Sequence, residues 1–476
     1  MLNTAIEIRN LSFKYNGKSK YALKDINLKI SQGEFILICG HTGCGKSTLI
    51  SCINGLIPYE SGGVFKGEVL LFGKQVRSNP AGLFPLVATV FQNPNTQIIS
   101  GRVCDEIAFG LENLNIPPKE MENRIDEALK FVGLYDKKFE STNSLSGGQK
   151  QRLAIACALS VRPKILLLDE PVSQLDPKGT KDILNIIKKL SKHHEITVLL
   201  VEHRIETILP CSTRVIKLKN GEITFNDSPD KFLLYEKKHQ YGKHPIINLR
   251  FLKEIDSTRD IKESIITIKN LYFSYKNNKS NNYVLKEINL NLYKGERVAI
   301  IGENGTGKST LLKIIAGILK PTKGEIKRNL KNSPKRLGIT LLLQDPDLML
   351  FKFSVFEELA FAPENLGLDK KEINFIVNST INGLGLKGYN NEPPFSLSSG
   401  QRLRVALGSL LTGRPQVLLL DEPTTGQDKR NLNFIINALL NKSELIVMST
   451  HDHELAKNFA TRIIEIKDSG IKEIKK

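Results

Sequence analysis

Two glycine-rich loops of one pattern, 262 residues apart at their lysines, constrain this chain of 476 residues more than any other feature. The first reads Gly40-His41-Thr42-Gly43-Cys44-Gly45-Lys46-Ser47-Thr48, and the second Gly302-Glu303-Asn304-Gly305-Thr306-Gly307-Lys308-Ser309-Thr310. Both fit G-x-x-x-x-G-K-[ST], a phosphate-binding pattern. A polyphosphate needs several backbone N–H groups converging on its oxygens, and a loop folds that tightly only where glycines tolerate positive φ. The lysine adds charge against the β- and γ-phosphates, the serine hydroxyl reaches Mg²⁺, and the next helix aims its positive N-terminus at the anion. The flanks agree. Phe35–Cys39 and Arg297–Ile301 read as short buried strands entering the loops, and Leu49-Ile50 and Leu311–Ala316 read as the starts of helices leaving them.

The rest of the chain repeats as well. Gln92 and Gln344, Gln149 and Gln401, and Asp169 and Asp421 are each separated by 252 positions. The first half therefore holds ten more residues than the second between its loop and Gln92. That surplus falls around Pro58–Pro80, where glycine and serine lead us to expect a surface loop. The length suits two domains, each able to bury a sizeable core. We expect a first domain over 1–228, a linker over 229–263 with a helix near Pro229–Lys237, and a second domain over 264–476.

Composition narrows the class. Apolar residues make up 40% and charged residues 25%, and runs such as Ile165–Leu168 are strand-sized, so no membrane span is expected. No charged segment followed by an apolar one opens the chain, so no secretory signal is expected. All six cysteines lie in the first half without a C-x-x-C pair, which argues against zinc, iron–sulfur or disulfide frameworks and fits a reducing cytosol. The formal charge of +18 comes from Lys and Arg scattered through both halves. Solvated lysines explain it most simply; an acidic membrane surface and nucleic acid are the other partners it would suit.

Within each half the pattern alternates strand and helix. In the first half, Ala5–Lys14, Ala22–Ile30, Leu86–Gln92, Ile165–Asp169 and Thr197–Val201 read as strands. Lys119–Val132 places apolar residues at helical spacing behind Pro117-Pro118, Leu145-Ser146-Gly147-Gly148-Gln149 opens a helix through Leu159, and Asn220-Gly221 signals a hairpin. Such alternation implies a largely parallel sheet wrapped by helices, with a helical insertion.

In order, then, each half shows a phosphate loop, a glutamine after a strand, L-S-G-G-Q or its variant, an apolar strand ending Asp-Glu-Pro, and a histidine. This set resembles the ATPase subunits of ABC transporters over nearly the whole chain, twice, and L-S-G-G-Q is specific to that family. The resemblance implies an α/β fold of two tandem P-loop ABC-type ATPase domains, each a mostly parallel sheet with an antiparallel β subdomain and a helical insertion. It also implies ATP and Mg²⁺ as ligands. Asp169 and Asp421, with Ser47 and Ser309, would hold the metal, and Glu170 and Glu422 would orient and deprotonate the attacking water. Gln92 and Gln344 resemble the glutamine that senses metal and water, and His203 and His451 the histidine that contacts the γ-phosphate. Tyr15 and Tyr275 either stack on adenine or pack against the first sheet. The loop residues Gly40, Gly43, Gly45, Lys46, Ser47 and Thr48, with Gly302, Gly305, Gly307, Lys308, Ser309 and Thr310, would bind the phosphates.

In that family the signature serine and its helix N-terminus bind ATP held by the opposite half. The resemblance therefore implies two composite sites in an intramolecular pseudo-dimer. One would set Lys46, Ser47, Asp169, Glu170 and His203 against Ser398 and Gly400; the other would set Lys308, Ser309, Asp421, Glu422 and His451 against Ser146 and Gly148. The second signature reads Leu397-Ser398-Ser399-Gly400-Gln401, with serine where the first has Gly147, so the sites are expected to be unequal. The loops ending in Asp176 and Asp428 also differ. After each glutamine, Val103-Cys104-Asp105-Glu106-Ile107-Ala108-Phe109 and Val355-Phe356-Glu357-Glu358-Leu359-Ala360-Phe361 resemble the energy-coupling-factor, cobalt-type importer ATPases. That likeness implies a transmembrane coupling subunit, a substrate-capture membrane protein, and a place on the cytoplasmic face of the membrane as a peripheral protein, with no direct nucleic-acid contact. Tandem ABC proteins of ribosomes or nucleic acid are the alternative. Their long charged linker, cysteine-rich region or coiled-coil insertion has no counterpart in this sequence.

Overall fold

The computed structural model describes residues 3–18, 20–78, 81–173, 175, 177–190, 196–203, 205–239, 263–275, 283–331, 333–424, 427, 429–440 and 443–474. The chain forms two compact units, Met1–Gly242 and Lys243–Lys476. Most of the expected linker, 240–262, lies outside the described residues, as do Asp176 and Asp428.

In the first unit a six-stranded sheet runs in the order Glu222–Asp227, Arg214–Lys219, Phe35–Cys39, Thr197–Val201, Ile165–Asp169, Val87–Val90. Its strands pair in parallel except at the Glu222–Asp227 edge, where the hairpin turn uses Asn220 and Gly221 at φ 51° and 83°. The central strands are apolar on both faces because both faces are covered. Alternation divides their side chains between two cores. Phe35 and Leu37, with Leu166 and Leu168, meet the helices Val103–Glu112, Pro118–Val132 and Gly147–Ser160. Ile36 and Ile38, with Ile165 and Leu167, meet the helix Lys46–Ile53 and a second, antiparallel sheet.

That second sheet corrects one expectation. The stretch Pro58–Pro80 is not simply a surface loop. It carries the strand Val64–Leu71, paired with Thr4–Lys14, and the short strand Lys74–Gln75 beyond it. Val69 and Leu71 are buried in the core, while Gly67 sits at φ 86° against a register shift, where a Cβ would come within 2.4 Å of the Arg9 carbonyl oxygen. The glycine that suggested a loop permits a bulge inside a strand.

The second unit repeats the plan. Its six-stranded sheet runs Ile339–Leu342, Val417–Asp421, Leu445–Ser449, Arg297–Ile301, Arg462–Lys467, Gly470–Ile474, and a three-stranded antiparallel sheet covers one face. In both units the phosphate loop, the Asp-Glu pair and the histidine follow the carboxyl ends of adjacent parallel strands. Doubly wound sheets bind ligands at that edge.

Helix Pro229–His239 follows the last strand of the first unit. Phe232 is buried and packs on Phe225 with ring centroids 5.4 Å apart, and Glu236 pairs with the mostly buried Lys217.

Candidate functional site

Each phosphate loop leaves the middle of its sheet. In the first, Gly40 and Gly45 take φ 147° and 107°, and a Cβ on either would lie within 2.3–2.5 Å of a backbone oxygen, of Leu218 and Ala22 respectively. Only glycine fits. Gly302 and Gly307 hold the same conformations at φ 153° and 105°, and Gly43 and Gly305 sit at φ 78° and 84° facing open space. Lys46 and Lys308 begin the helices that follow and are each 5% exposed. Their Nζ atoms donate across their own loops, to the carbonyls of Gly40 and His41 at 3.0 and 3.2 Å, and of Gly302 and Glu303 at 2.8 and 3.1 Å. The ammonium is thereby held over the cradle.

Beside the loop lies the acidic pair. Glu170 and Glu422 adopt φ 48° and 50°, a conformation rare for a residue with a side chain. In the first unit, Glu170 meets His203 Nε2 at 2.8 Å through Oε1 and accepts from Gln92 Nε2 at 3.0 Å through Oε2. Gln92 also donates to Ser173 Oγ at 3.2 Å. In the second, Glu422 meets His451 Nδ1 at 3.0 Å and lies 3.6 Å from Lys308 Nζ. Burial alone would raise the Glu422 carboxyl; the bond and charge of His451, with Lys308, outweigh it and hold the group below its ordinary range. Gln344 departs from the expected arrangement. It is exposed and makes no hydrogen bond to Glu422, so the assembly seen around Gln92 has no counterpart there.

The aspartates differ too. Ser309 Oγ donates to Asp421 Oδ1 at 2.9 Å. Burial, and then the adjacent Glu170 charge, push Asp169 up to about 6, against the lowering pull of the Ser47 hydroxyl and Lys46. Asp169 Oδ1 is buried with no hydrogen-bond partner. A buried carboxylate oxygen with a serine hydroxyl beside it, next to a phosphate cradle, is the donor set that a hard divalent cation takes, so these residues fit Mg²⁺.

Tyr15 and Tyr275 join the loops. Their hydroxyls lie 3.1 Å from Thr48 Oγ1 and Thr310 Oγ1, and their rings stand edge-on to Phe13 and Phe273 at 4.8 and 4.9 Å. Each ring is thus fixed against both the first sheet and the phosphate loop.

Each signature serine stands at the N-cap of its own helix. Ser146 Oγ accepts from Gln149 N at 3.3 Å, and Gln149 Oε1 accepts from Ser146 N at 2.8 Å. In the second unit the backbone and hydroxyl of Ser398 both donate to Gln401 Oε1 at 3.0 Å. A Cβ at Gly147 would meet nothing within 4 Å, and Ser399, at the matching position of the second unit, is exposed. Gly148 and Gly400 sit against neighbouring chain, where a Cβ would approach Gly179 Cα at 3.3 Å and Asn431 Nδ2 at 2.8 Å.

Sequence reasoning overlooked Glu106 and Glu358 as structural groups. Both are buried, and each accepts two backbone N–H bonds from the loop after the glutamine, of Ile99 and Ser100 and of Phe351 and Lys352. Their spacing of 252 residues, the same as that of the other paired motifs, was the available signal.

Twin phosphate loops, each beside an Asp-Glu pair and a histidine at the carboxyl edge of a parallel sheet, define a two-domain P-loop nucleoside triphosphatase. The ABC transporter family profile matches residues 23–173 and 285–425, and the chain belongs to that family. Two relatives that carry the provisional name ABC transporter ATP-binding protein, from Methanosarcina acetivorans and Methanosarcina mazei, are each 39% identical over 98% of this chain and over 84% and 88% of their own lengths. A solved structure described as cbiO1 from Clostridium perfringens, part of the ABC transporter complex cbiONQ, aligns with 53% of this chain and 99% of its own at 30% identity and TM-score 0.45. The protein binds and hydrolyses ATP.

Proposed function

We propose that this chain is the motor of an energy-coupling-factor type importer, hydrolysing ATP to move a small molecule, a vitamin, vitamin precursor or metal ion, through separate membrane subunits. Among the described residues no helix is long and apolar enough to cross a membrane; in this reading the pathway itself belongs to other chains. The observation that carries the reading is the surface beside each glutamine. Ile99 and Phe109 in the first unit, and Phe351 and Phe361 in the second, are exposed, each on or next to the helix that begins at Val103 or Val355. Exposed apolar groups in the segment that follows the site glutamine suit a helix from a transmembrane subunit, whose docking would then sense the occupant of that site. The net charge of +18 suits the acidic cytoplasmic leaflet, where each well-placed Lys or Arg contributes about 1 kcal/mol.

In this reading the loop N–H groups and Lys46 or Lys308 bind the triphosphate, and Tyr15 or Tyr275 flanks the base. Ser47 with Asp169, and Ser309 with Asp421, would hold Mg²⁺, which when bound would neutralise charge on the β- and γ-phosphates. Glu170 and Glu422 orient the attacking water and take its proton, each held by its histidine. The serine-capped helices complete the sites crosswise: Ser398 and Gly400 serve the ATP on Lys46, and Ser146 and Gly148 the ATP on Lys308. Closure would follow ATP binding, and release would follow hydrolysis.

The test is copurification of the native chain from detergent-solubilised membranes, followed by uptake assays in cells lacking it. The reading expects a transmembrane protein to copurify and a vitamin or metal-ion uptake to be lost. Recovery of the native chain on ribosomes, with uptake intact, would replace it with the alternative role.

A further inference from the structure

The strands that end in the two Asp-Glu pairs share one register: Asp169 lies opposite Val201, and Asp421 opposite Ser449. Valine and serine thus hold the same position, two residues before His203 and His451. The exchange changes the site. Ser449 is fully buried; its hydroxyl donates to Asp421 Oδ1 at 2.7 Å and accepts the Glu422 N–H at 2.9 Å. One side chain therefore ties the metal-side carboxylate to the backbone of the catalytic glutamate. In the first unit the Glu170 N–H goes instead to the Val201 backbone carbonyl at 3.0 Å, and Asp169 Oδ1 is the buried oxygen that has no hydrogen-bond partner.

We infer that Ser449 is a positioning residue that, together with Ser309, sets the rotation of Asp421 before any metal arrives, whereas in the first unit Val201 offers no such hydroxyl and only the Ser47 hydroxyl acts on Asp169. This rests on the reading of Asp169 and Asp421 as metal-holding groups. Where the Ser449 hydroxyl is present it adds a second donor to the oxygen that Ser309 also reaches and competes with the cation for it; at Asp169, where it is absent, the cation relieves a buried unpaired acceptor. Nucleotide binding in the first unit should therefore depend more steeply on Mg²⁺ than binding in the second. A hydrogen bond to a charged group corresponds to a difference of about tenfold in that dependence.

The test uses the full chain with one loop disabled at a time: Lys308→Ala reports the first unit, and Lys46→Ala the second. The dissociation constant of trinitrophenyl-ATP is measured by fluorescence with Mg²⁺ and with EDTA. The ratio between the two conditions should be about tenfold larger in Lys308→Ala. Adding V201S there should shrink it, and adding S449V to Lys46→Ala should enlarge it, while S449T, which keeps the hydroxyl at nearly the same volume as valine, should leave it unchanged. Equal ratios in the two backgrounds, or identical behaviour of S449V and S449T, would overturn the inference. If EDTA weakens binding in neither background, the metal reading falls and takes the inference with it; if it weakens both equally, the inference alone falls.

Discussion

Glu170 and Glu422 sit at φ 48° and 50°, a strained backbone that costs roughly 1 kcal/mol or more, and both units keep it. The conformation turns the chain away from the strand just after the aspartate and brings the carboxylate to the histidine. Asp169 is strained electrostatically instead. Its folded value of about 6 stands above the ordinary 3.8, so its contribution to stability is fully present below about pH 4 and is lost as pH rises through about 6. The full shift corresponds to about 3 kcal/mol. We predict that metal-free protein loses stability relative to Asp169→Asn across that window, measured as the difference in thermal midpoint between pH 4.5 and 7.5. A constant difference would show that the site does not strain this carboxylate. Residues of this kind were only partly legible. The glycines, lysines and Asp-Glu pairs are fixed by chemistry that tolerates few alternatives, so the pattern alone located them. Gln344 matches its motif as well as Gln92 does, yet it is exposed, because local packing decides where that side chain goes. Ser449 gave no signal, since the first copy carries valine there.

Among elements, the central strands were legible because burial on both faces leaves uninterrupted apolar runs such as Ile165–Leu168. The strand Val64–Leu71 was not, because Gly62, Gly63 and Gly67 imitate a loop while serving turns and a bulge. The helix Val103–Glu112 shows how motif and scaffold overlap: the acidic-apolar stretch that suggested an importer also contains Glu106, whose carboxylate ties down the preceding loop. Glu106→Ala leaves two backbone N–H groups without their acceptor and should destabilise the first unit by about 2 kcal/mol, and Glu106→Gln, which keeps one oxygen, by less. Urea denaturation would check this. Equal stability of the alanine variant and wild type would mean that the two bonds hold nothing.

Over the whole molecule, duplication gives two similar units that differ in the antiparallel sheet and at the nucleotide sites. Ser399 places a side chain at the helix N-terminus that would serve the ATP on Lys46, where the other signature has Gly147. That side chain is exposed, so any crowding falls on the incoming phosphate. The Lys46 site should then turn over more slowly, and Glu422→Gln should cost more steady-state ATPase than Glu170→Gln. Equal residual rates would remove the asymmetry from the account.

In the proposed cycle each triphosphate is held by the loop of one unit and the signature serine of the other. The most direct measurement is an experimental structure of the Glu170→Gln/Glu422→Gln protein with Mg²⁺ and ATP. Two nucleotides are expected, with Ser398 and Ser146 each within hydrogen-bonding distance of the γ-phosphate bound by Lys46 and Lys308 respectively. Two loaded loops with both serines remote from any phosphate would contradict it.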